Sequence, residues 1–283
     1  MRIDLHSHTS ISDGIDSPEE LIGLAKSVGI SALAITDHDS VLGWKSLRDV
    51  GNSGELMVIP GAEISTRTES GMSVHILGYL FDPEFEVLSR YMELTRDDRV
   101  PRIQRMIDLL NEAEIPVTFD DVVRNAGSAS TIGRPHLADA LIGLGIVNSR
   151  EEAFARYLHN DSPFYVGHFA PTPEQAIAAI AESGGVSILA HGLAGSRGEV
   201  LTLDQIEELI SCGLNGVEVY HRDHDQSARE SLRELADRLD AFATGSSDYH
   251  GAQYGQMLGM EVTAPEVLES ILEQGKGCEV FSL

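Results

Sequence analysis

The sequence predicts an α/β protein: a distorted barrel of about seven strands with a helical subdomain inserted midway. Three observations carry this. Short β-rich apolar runs alternate with helical stretches, a pattern that favours parallel strands joined by right-handed crossovers. The alternation lapses between residues 83 and 165 and then resumes. His, Asp and Glu gather at the carboxyl ends of the runs, where barrels and open α/β sheets both carry their functional groups. No Gly-rich nucleotide fingerprint follows the first run, which favours a barrel over a dinucleotide fold.

In chain order, residues 2–8 form the first strand and a helix near 18–28 follows, entered through Ser17-Pro18-Glu19-Glu20, with Pro at the first helical position. Ser31 to Thr36 and Leu56 to Pro60 are the second and third strands, and Met72 to Leu80 is the fourth. Periodic apolar residues in 85–94, 103–110, 136–144 and 152–158 make the inserted stretch mostly helical. After it come helix 173–183, strand 186–190, helix 203–211, strand 216–220, helix 226–239 and strand 241–244. Short strands near 258–263 and 278–282 complete the set. Residues 1–82 and 166–283 are thus the expected catalytic barrel, and 83–165 the insertion.

Composition narrows the chemistry. Apolar content of 42% and charged content of 23% are those of a globular protein. No run of about 18 apolar residues occurs, so no membrane span is expected. No secretory signal is visible, and Cys212 and Cys278 lie far apart with no CxxC; they are expected to be reduced thiols in a cytoplasmic protein. Forty-five acids against 20 Lys and Arg give a net charge of −25. Such a surface is ill-suited to tracking a long phosphate backbone, but metal ions can reverse the field locally for a small anion.

Residues 4–8 read Asp4-Leu5-His6-Ser7-His8. In a strand, the period of two sends Asp4, His6 and His8 to one face, and two imidazoles there can chelate an ion. Of the eleven histidines, His6, His8, His38, His75, His191 and His250 fall at or near strand ends, accompanied by Asp13, Glu63 and Asp248. A lone histidine in a strand is more often a hydrogen-bonded structural residue. Nine such groups converging on one barrel mouth would leave carboxylates repelling one another unless cations intervened. Nine ligands exceed what one ion takes, so two or three divalent ions are expected. The imidazole–carboxylate mixture suits Mn, Zn or Fe. Water on such an ion has its pKa lowered from about 15.7 to about 7, which supplies a hydroxide nucleophile and makes hydrolysis the natural reaction.

Seven motifs in order extend this reading: Asp4-Leu5-His6-Ser7-His8, Ser12-Asp13-Gly14, Thr36-Asp37-His38-Asp39, Pro60-Gly61-Ala62-Glu63-Ile64-Ser65, Val74-His75-Ile76-Leu77-Gly78-Tyr79, Ala190-His191 and Ser247-Asp248-Tyr249-His250. Together they resemble the polymerase and histidinol phosphatase (PHP) phosphoesterases along the whole chain. The resemblance implies a distorted (β/α)7 barrel with a trinuclear centre. It implies one metal on His6, His8, Glu63 and Asp248, a second on Asp13, His38 and His250, and a third on Glu63, His75 and His191. Asp13 occupies a position where the family has either His or Asp. Gly133-Arg134-Pro135-His136-Leu137 resembles the insert of small bacterial members, which include nucleoside 3′,5′-bisphosphate phosphatases and a 5′→3′ exoribonuclease on short RNA. There the insert covers the active site and helps bind substrate. The resemblance makes Arg134 a candidate phosphate clamp, its planar fork suited to two phosphate oxygens. His224 is a candidate to contact phosphate or to protonate the leaving oxygen. His136, His159 and His168 are expected to be structural.

The leading expectation is a metal-dependent phosphatase that removes the 3′-phosphate of a nucleoside 3′,5′-bisphosphate, with a small nucleotide as its partner and no long nucleic acid. The alternatives are a 5′→3′ exoribonuclease on short RNA, a histidinol phosphate phosphatase, which the insertion fits less well, and a non-catalytic PHP module that binds metal or a partner. Intact ligand motifs argue against the last.

Overall fold

The computed structural model describes residues 1–48, 54–126, 132–167, 169–195 and 198–283. Seven strands follow one another around a nearly closed barrel in chain order: β1 (Ile3–Asp4), β2 (Ala32–Ile35), β3 (Met57–Arg67), β4 (Ser73–Tyr79), β5 (Val186–Leu189), β6 (Gly216–Tyr220) and β7 (Phe242–Gly245). The segment after β7 returns to the first: a parallel bridge joins Ser7 to Tyr249, and the His8 N–H donates to the Tyr249 carbonyl at 2.8 Å. A two-residue β8 (Phe281–Ser282) pairs antiparallel with β3. The stretch 258–263, expected as a strand, is turn and irregular backbone.

Helices α1 (Pro18–Ser27), α2 (Leu42–Arg48), α7 (Pro173–Glu182), α8 (Leu203–Ser211) and α9 (Gln226–Leu239) pack outside the barrel. Three of them begin with reciprocal caps, Ser17 with Glu20, Thr172 with Gln175 and Thr202 with Gln205, which satisfy donors otherwise orphaned at a helix start. Helix α10 (Pro265–Gln274) presses Leu268 and Ile271 against Ile3, Tyr79, Leu80 and Val186, closing the mouth opposite the histidines. Trp44 of α2 is buried, and its indole N–H donates to the Gly61 carbonyl of β3 at 2.8 Å.

Besides the two-residue β8, one strand of the seven-strand barrel departs from the all-parallel expectation. β4 runs antiparallel to both β3 and β5, so its beginning, not its end, lies at the ligand-bearing mouth. This explains why His75 stands early in its strand. The reversal also delivers the chain to the opposite end, from which α3 (Glu86–Glu112) climbs back. The helices expected at 85–94 and 103–110 are this single element, 27 residues continuing through Pro101, about 40 Å long at the usual rise. Its first half packs on the barrel through Leu88 and Met92. Its second half joins α4 (Phe119–Ala126), α5 (Arg134–Gly143), α6 (Arg150–Ala153) and a π-helical turn at Phe154–Leu158 around an apolar cluster that includes Ile103, Leu110, Val122, Leu141 and Leu158. Cys212 and Cys278 are free thiols. Among the described residues no helix is long and apolar enough to cross a membrane.

Candidate metal centre

The nine expected ligands sit around one mouth of the barrel. His6 and His8 follow β1, Asp13 lies in the next turn, and His38 follows β2. Glu63 and His75 stand on β3 and β4, His191 follows β5, and Asp248 and His250 follow β7. They form overlapping groups. His6 Nε2 and His8 Nε2 are 3.1 Å apart, each is 3.1 Å from Glu63 Oε2, and each is 3.2 Å from Asp248 Oδ1. His8, Asp13, His38 and His250 make a second group. The other Glu63 oxygen, Oε1, meets His75 Nδ1 at 2.7 Å and His191 Nε2 at 3.0 Å. Glu63 therefore faces both sides of the cluster.

Ordinary hydrogen bonding does not account for this packing. The centre of a tetrahedron with edges like those of the first group lies about 1.9 Å from each corner, close to the roughly 2.0–2.2 Å of zinc–nitrogen and zinc–oxygen bonds. His38 Nδ1 is buried 3.2 Å from Glu63 Oε2 yet makes no hydrogen bond among the described residues. A lone pair aimed at a shared point rather than at a donor fits a cation between them. The donor set is imidazole and carboxylate throughout, which suits a divalent ion.

The charges point the same way. Burial works against a proton on His8, but hydrogen bonds to Asp248 and Glu63 outweigh it and push the ring up to about 10. Burial and the neighbouring His8 and His75 hold His38 down to about 3, although Glu63 and Asp13 pull the other way. Burial raises the Glu63 carboxyl, but His38, His75 and His6 take it well below the usual carboxylate range. The carboxylates thus draw positive charge into a water-poor space, and divalent ions would provide it.

A layer of acids holds the ligand loops. Asp4 accepts from Ser247 N–H (3.0 Å), Ser247 Oγ (2.6 Å) and Gly259 N–H (2.7 Å), fixing the segment that bears Asp248. Asp37 accepts from Thr9 N–H, Thr9 Oγ and Ser12 Oγ, each at 2.8 Å, fixing the turn that bears Asp13. Asp39 accepts from Ser65 N–H and Oγ and pairs with Arg99. Asp39, His191 and Asp248 adopt left-handed backbone, with φ of 49°, 34° and 48°, a conformation costing a non-glycine residue roughly 1–2 kcal/mol. Strain of this kind concentrates at functional sites.

The two expected substrate residues lie differently. Arg134, at the start of α5, donates through Nη1 to the Leu158 carbonyl (2.8 Å) and Asn160 Oδ1 (2.7 Å), and its guanidinium lies over the rings of Phe154 and Tyr165. Burial pushes it down to about 10, and Arg67 and Arg99 add to the effect. His224 is buried, and both ring nitrogens are committed: Nδ1 donates to the Val219 carbonyl at 3.0 Å and Nε2 accepts the Leu193 N–H at 3.2 Å. That arrangement ties two loops together and leaves neither nitrogen for a phosphate, which departs from the expected acid. His136 accepts the Gly133 N–H through Nδ1, His159 lies beside Asp161, and His168 is outside the described residues.

Sequence reasoning passed over Glu218 and ranked His221 only below His224 as a phosphate contact; both are fully buried against the candidate ligands. An acid in the middle of Gly216-Val217-Glu218-Val219-Tyr220 was the available signal, since a lone carboxylate between buried valines demands a polar partner. It also passed over Arg99.

Comparison with known proteins agrees with this geometry. Residues 4–127 match the PHP domain family. A phosphoribosyl 1,2-cyclic phosphate 1,2-diphosphodiesterase of Eggerthella lenta is 29% identical over 92% of this chain and 99% of its own. A 3′,5′-nucleoside bisphosphate phosphatase of Chromobacterium violaceum is 29% identical over 95% and 94%. A 5′-3′ exoribonuclease of Haemophilus influenzae is 31% identical over 88% and 90%. A solved structure from Bifidobacterium adolescentis, described as a metal-dependent phosphoesterase, superposes with a TM-score of 0.88 at 34% identity, covering 97% of this chain and 96% of that one. A barrel of this topology, its mouth ringed by histidines and carboxylates, and relatives that match end to end place the chain in the PHP family, as a metal-dependent phosphoesterase.

Proposed function

We propose that the substrate is a nucleoside 3′,5′-bisphosphate, bound with its 3′-phosphate at the metal centre and its 5′-phosphate on a cluster of arginines beside it. The observation that carries this is a set of buried guanidinium donors with no acceptor. Arg99 and Arg102 of α3 are more than nine-tenths buried, and Arg99 Nε and Arg102 Nη2 have no hydrogen-bond partner among the described residues. Arg67, Arg102 and Arg134 lie over the Tyr165 ring at 5.2–5.6 Å. In a chain of net charge −25, such a concentration of buried cations calls for an anion. Arg99 Nη2 donates to Ser65 Oγ at 2.8 Å and pairs with Asp39, next to Glu63 on β3 and to His38 just after β2. A second phosphate on the same sugar suits that adjacency.

His6, His8, Glu63 and Asp248 would hold one divalent ion, Asp13, His38 and His250 a second, and Glu63, His75 and His191 a third, with Mn, Zn or Fe suited to these donors. Bound ions would polarise the scissile phosphate and lower the pKa of the attacking water. The protein's part is to orient the ester and exclude water, with Arg134 and Arg99 gripping the non-reacting phosphate through paired N–H groups. His224 then positions the loops after β5 and β6 rather than moving a proton. Residues 83–165 form the cover over the barrel of 1–82 and 166–283, a reading supported by their own apolar cluster.

The test is phosphate release, with Mn²⁺ added, from a nucleoside 3′,5′-bisphosphate, a 5′-monophosphate, a 3′-monophosphate and a short 5′-phosphorylated RNA. The bisphosphate should exceed the 3′-monophosphate in kcat/KM by more than tenfold, and Arg134→Ala should erase most of that difference by raising KM. A large preference for RNA would favour the exoribonuclease reading instead, whose 5′-terminal phosphate would use the same arginines.

A further inference from the structure

We infer that Glu218 and His221 on and just after β6 are positioning residues that set the affinity of the first metal site, by fixing the tautomer of His6 and the orientation of Asp248. The inference rests on the reading of His6 and Asp248 as ligands of one ion.

Glu218 is fully buried and has two distinct partners. Its Oε1 lies 3.3 Å from His6 Nδ1, and its Oε2 accepts the His191 backbone N–H at 2.8 Å. A carboxylate can only accept, so His6 carries its proton on Nδ1 and presents the lone pair of Nε2 to Glu63 and Asp248. The same side chain anchors the backbone of His191, which sits in a left-handed conformation. One carboxylate therefore aims two candidate ligands.

His221 is fixed by comparable logic. Its Nδ1 accepts the Asp223 backbone N–H at 3.1 Å, so the ring proton is on Nε2, 3.4 Å from Asp248 Oδ2. Asp248 then offers Oδ1 to His6 and His8 while Oδ2 is held from behind. The imidazole is wedged edge-on between His191 and His224, with ring centroids 5.5 Å from each, so it cannot swing away. Both side chains are fully buried. Outer groups of this kind typically contribute about 10–100-fold in metal affinity.

Glu218→Gln discriminates the idea because only one of the amide's two terminal atoms can accept, whereas Oε1 and Oε2 of Glu218 each accept from a different donor. If its oxygen serves the His191 N–H, its amide faces His6 Nδ1 and favours the tautomer with the proton on Nε2, where the metal should bind. The experiment is Mn²⁺ titration against a chromophoric chelator for wild type, His6→Ala, Glu218→Gln, His221→Leu and His221→Gln, with Tm measured for each protein stripped by chelator. Loss of one Mn²⁺ site in His6→Ala establishes the ligand reading. Glu218→Gln and His221→Leu should then weaken that site about 10–100-fold, leave the remaining sites within about threefold, and leave the stripped Tm close to wild type. His221→Gln, which keeps a donor near the Nε2 position, should recover most of the affinity.

Unchanged affinity in Glu218→Gln and His221→Leu, with the site lost in His6→Ala, overturns this inference alone. An equal weakening of all sites, accompanied by a fall in the stripped Tm, assigns the pair a merely structural role and also overturns it. If His6→Ala leaves Mn²⁺ binding intact, the ligand reading falls and this inference with it. Should Glu218→Gln not fold, the His221 pair decides.

Discussion

Asp4, Asp37 and Asp39 stand within the same histidine motifs as the candidate ligands, yet all three spend their oxygens on protein donors. What separates them from Asp13, Glu63 and Asp248 is which way the backbone donors fall, a property no spacing reveals. Asp4 alone serves three donors from the Ser247 and Gly259 segments. Asp4→Ala would leave these buried without an acceptor, and each unsatisfied donor costs on the order of 1–3 kcal/mol. Thermal or urea unfolding should therefore show a loss of about 3 kcal/mol or more. A change below about 0.5 kcal/mol would mean that water replaces the carboxylate. His224 teaches the converse: a histidine at a strand end of a hydrolytic barrel reads as catalytic until both its nitrogens are found bonded to backbone.

At the level of elements, strands, caps and most helices follow the hydrophobic period closely. β3 outruns expectation, extending to Arg67, because Pro60-Gly61 reads as a stop although both residues fit a strand whose partners lie elsewhere. The direction of β4 was not legible, since an isolated β-run carries no sign of its orientation; only the long helix after it hints that the chain must travel back. Beyond the contacts of α3 with the barrel, the insertion is also tied to the far rim. Arg150 is held by both Asp139 oxygens, at 2.7 and 2.6 Å, and lies over the Tyr254 ring at 3.8 Å, four residues past His250. Such a contact is worth about 0.5–2 kcal/mol. Tyr254→Ala should raise KM by about 2–30-fold and speed hydrogen exchange in 134–158, with the barrel strands unaffected. Unaltered exchange there would show that the cover does not depend on this tie.

For the whole molecule, two consequences follow from charge. Buried carboxylates and imidazoles that share cations lose them on chelation, so EDTA should lower Tm by roughly 5–10 °C, given about 2.7 kcal/mol of linkage at a hundredfold excess of metal over its Kd. No shift on complete metal removal would mean the cluster is stable on protein contacts alone. The second concerns approach. A chain of net charge −25 repels a phosphate ester over about a Debye length, which grows from about 10 Å at 0.1 M salt to about 30 Å at 0.01 M, whereas the arginines and proposed cations attract it locally at the mouth. Adding inert salt should therefore raise kcat/KM at low ionic strength. A steep fall would show that attraction by the arginine cluster dominates the encounter.

The single tryptophan of the chain turns one packing detail into an optical gauge. Trp44 has its indole N–H anchored to the carbonyl of Gly61, two residues before the carboxylate that faces both sides of the metal cluster. On the proposed ligand set, any shift of β3 as Glu63 takes up or releases a cation changes the hydrogen bond of the one strong fluorophore. Its emission offers a label-free readout of metal loading in real time, and the order in which ions arrive would appear as resolved kinetic phases of a single signal.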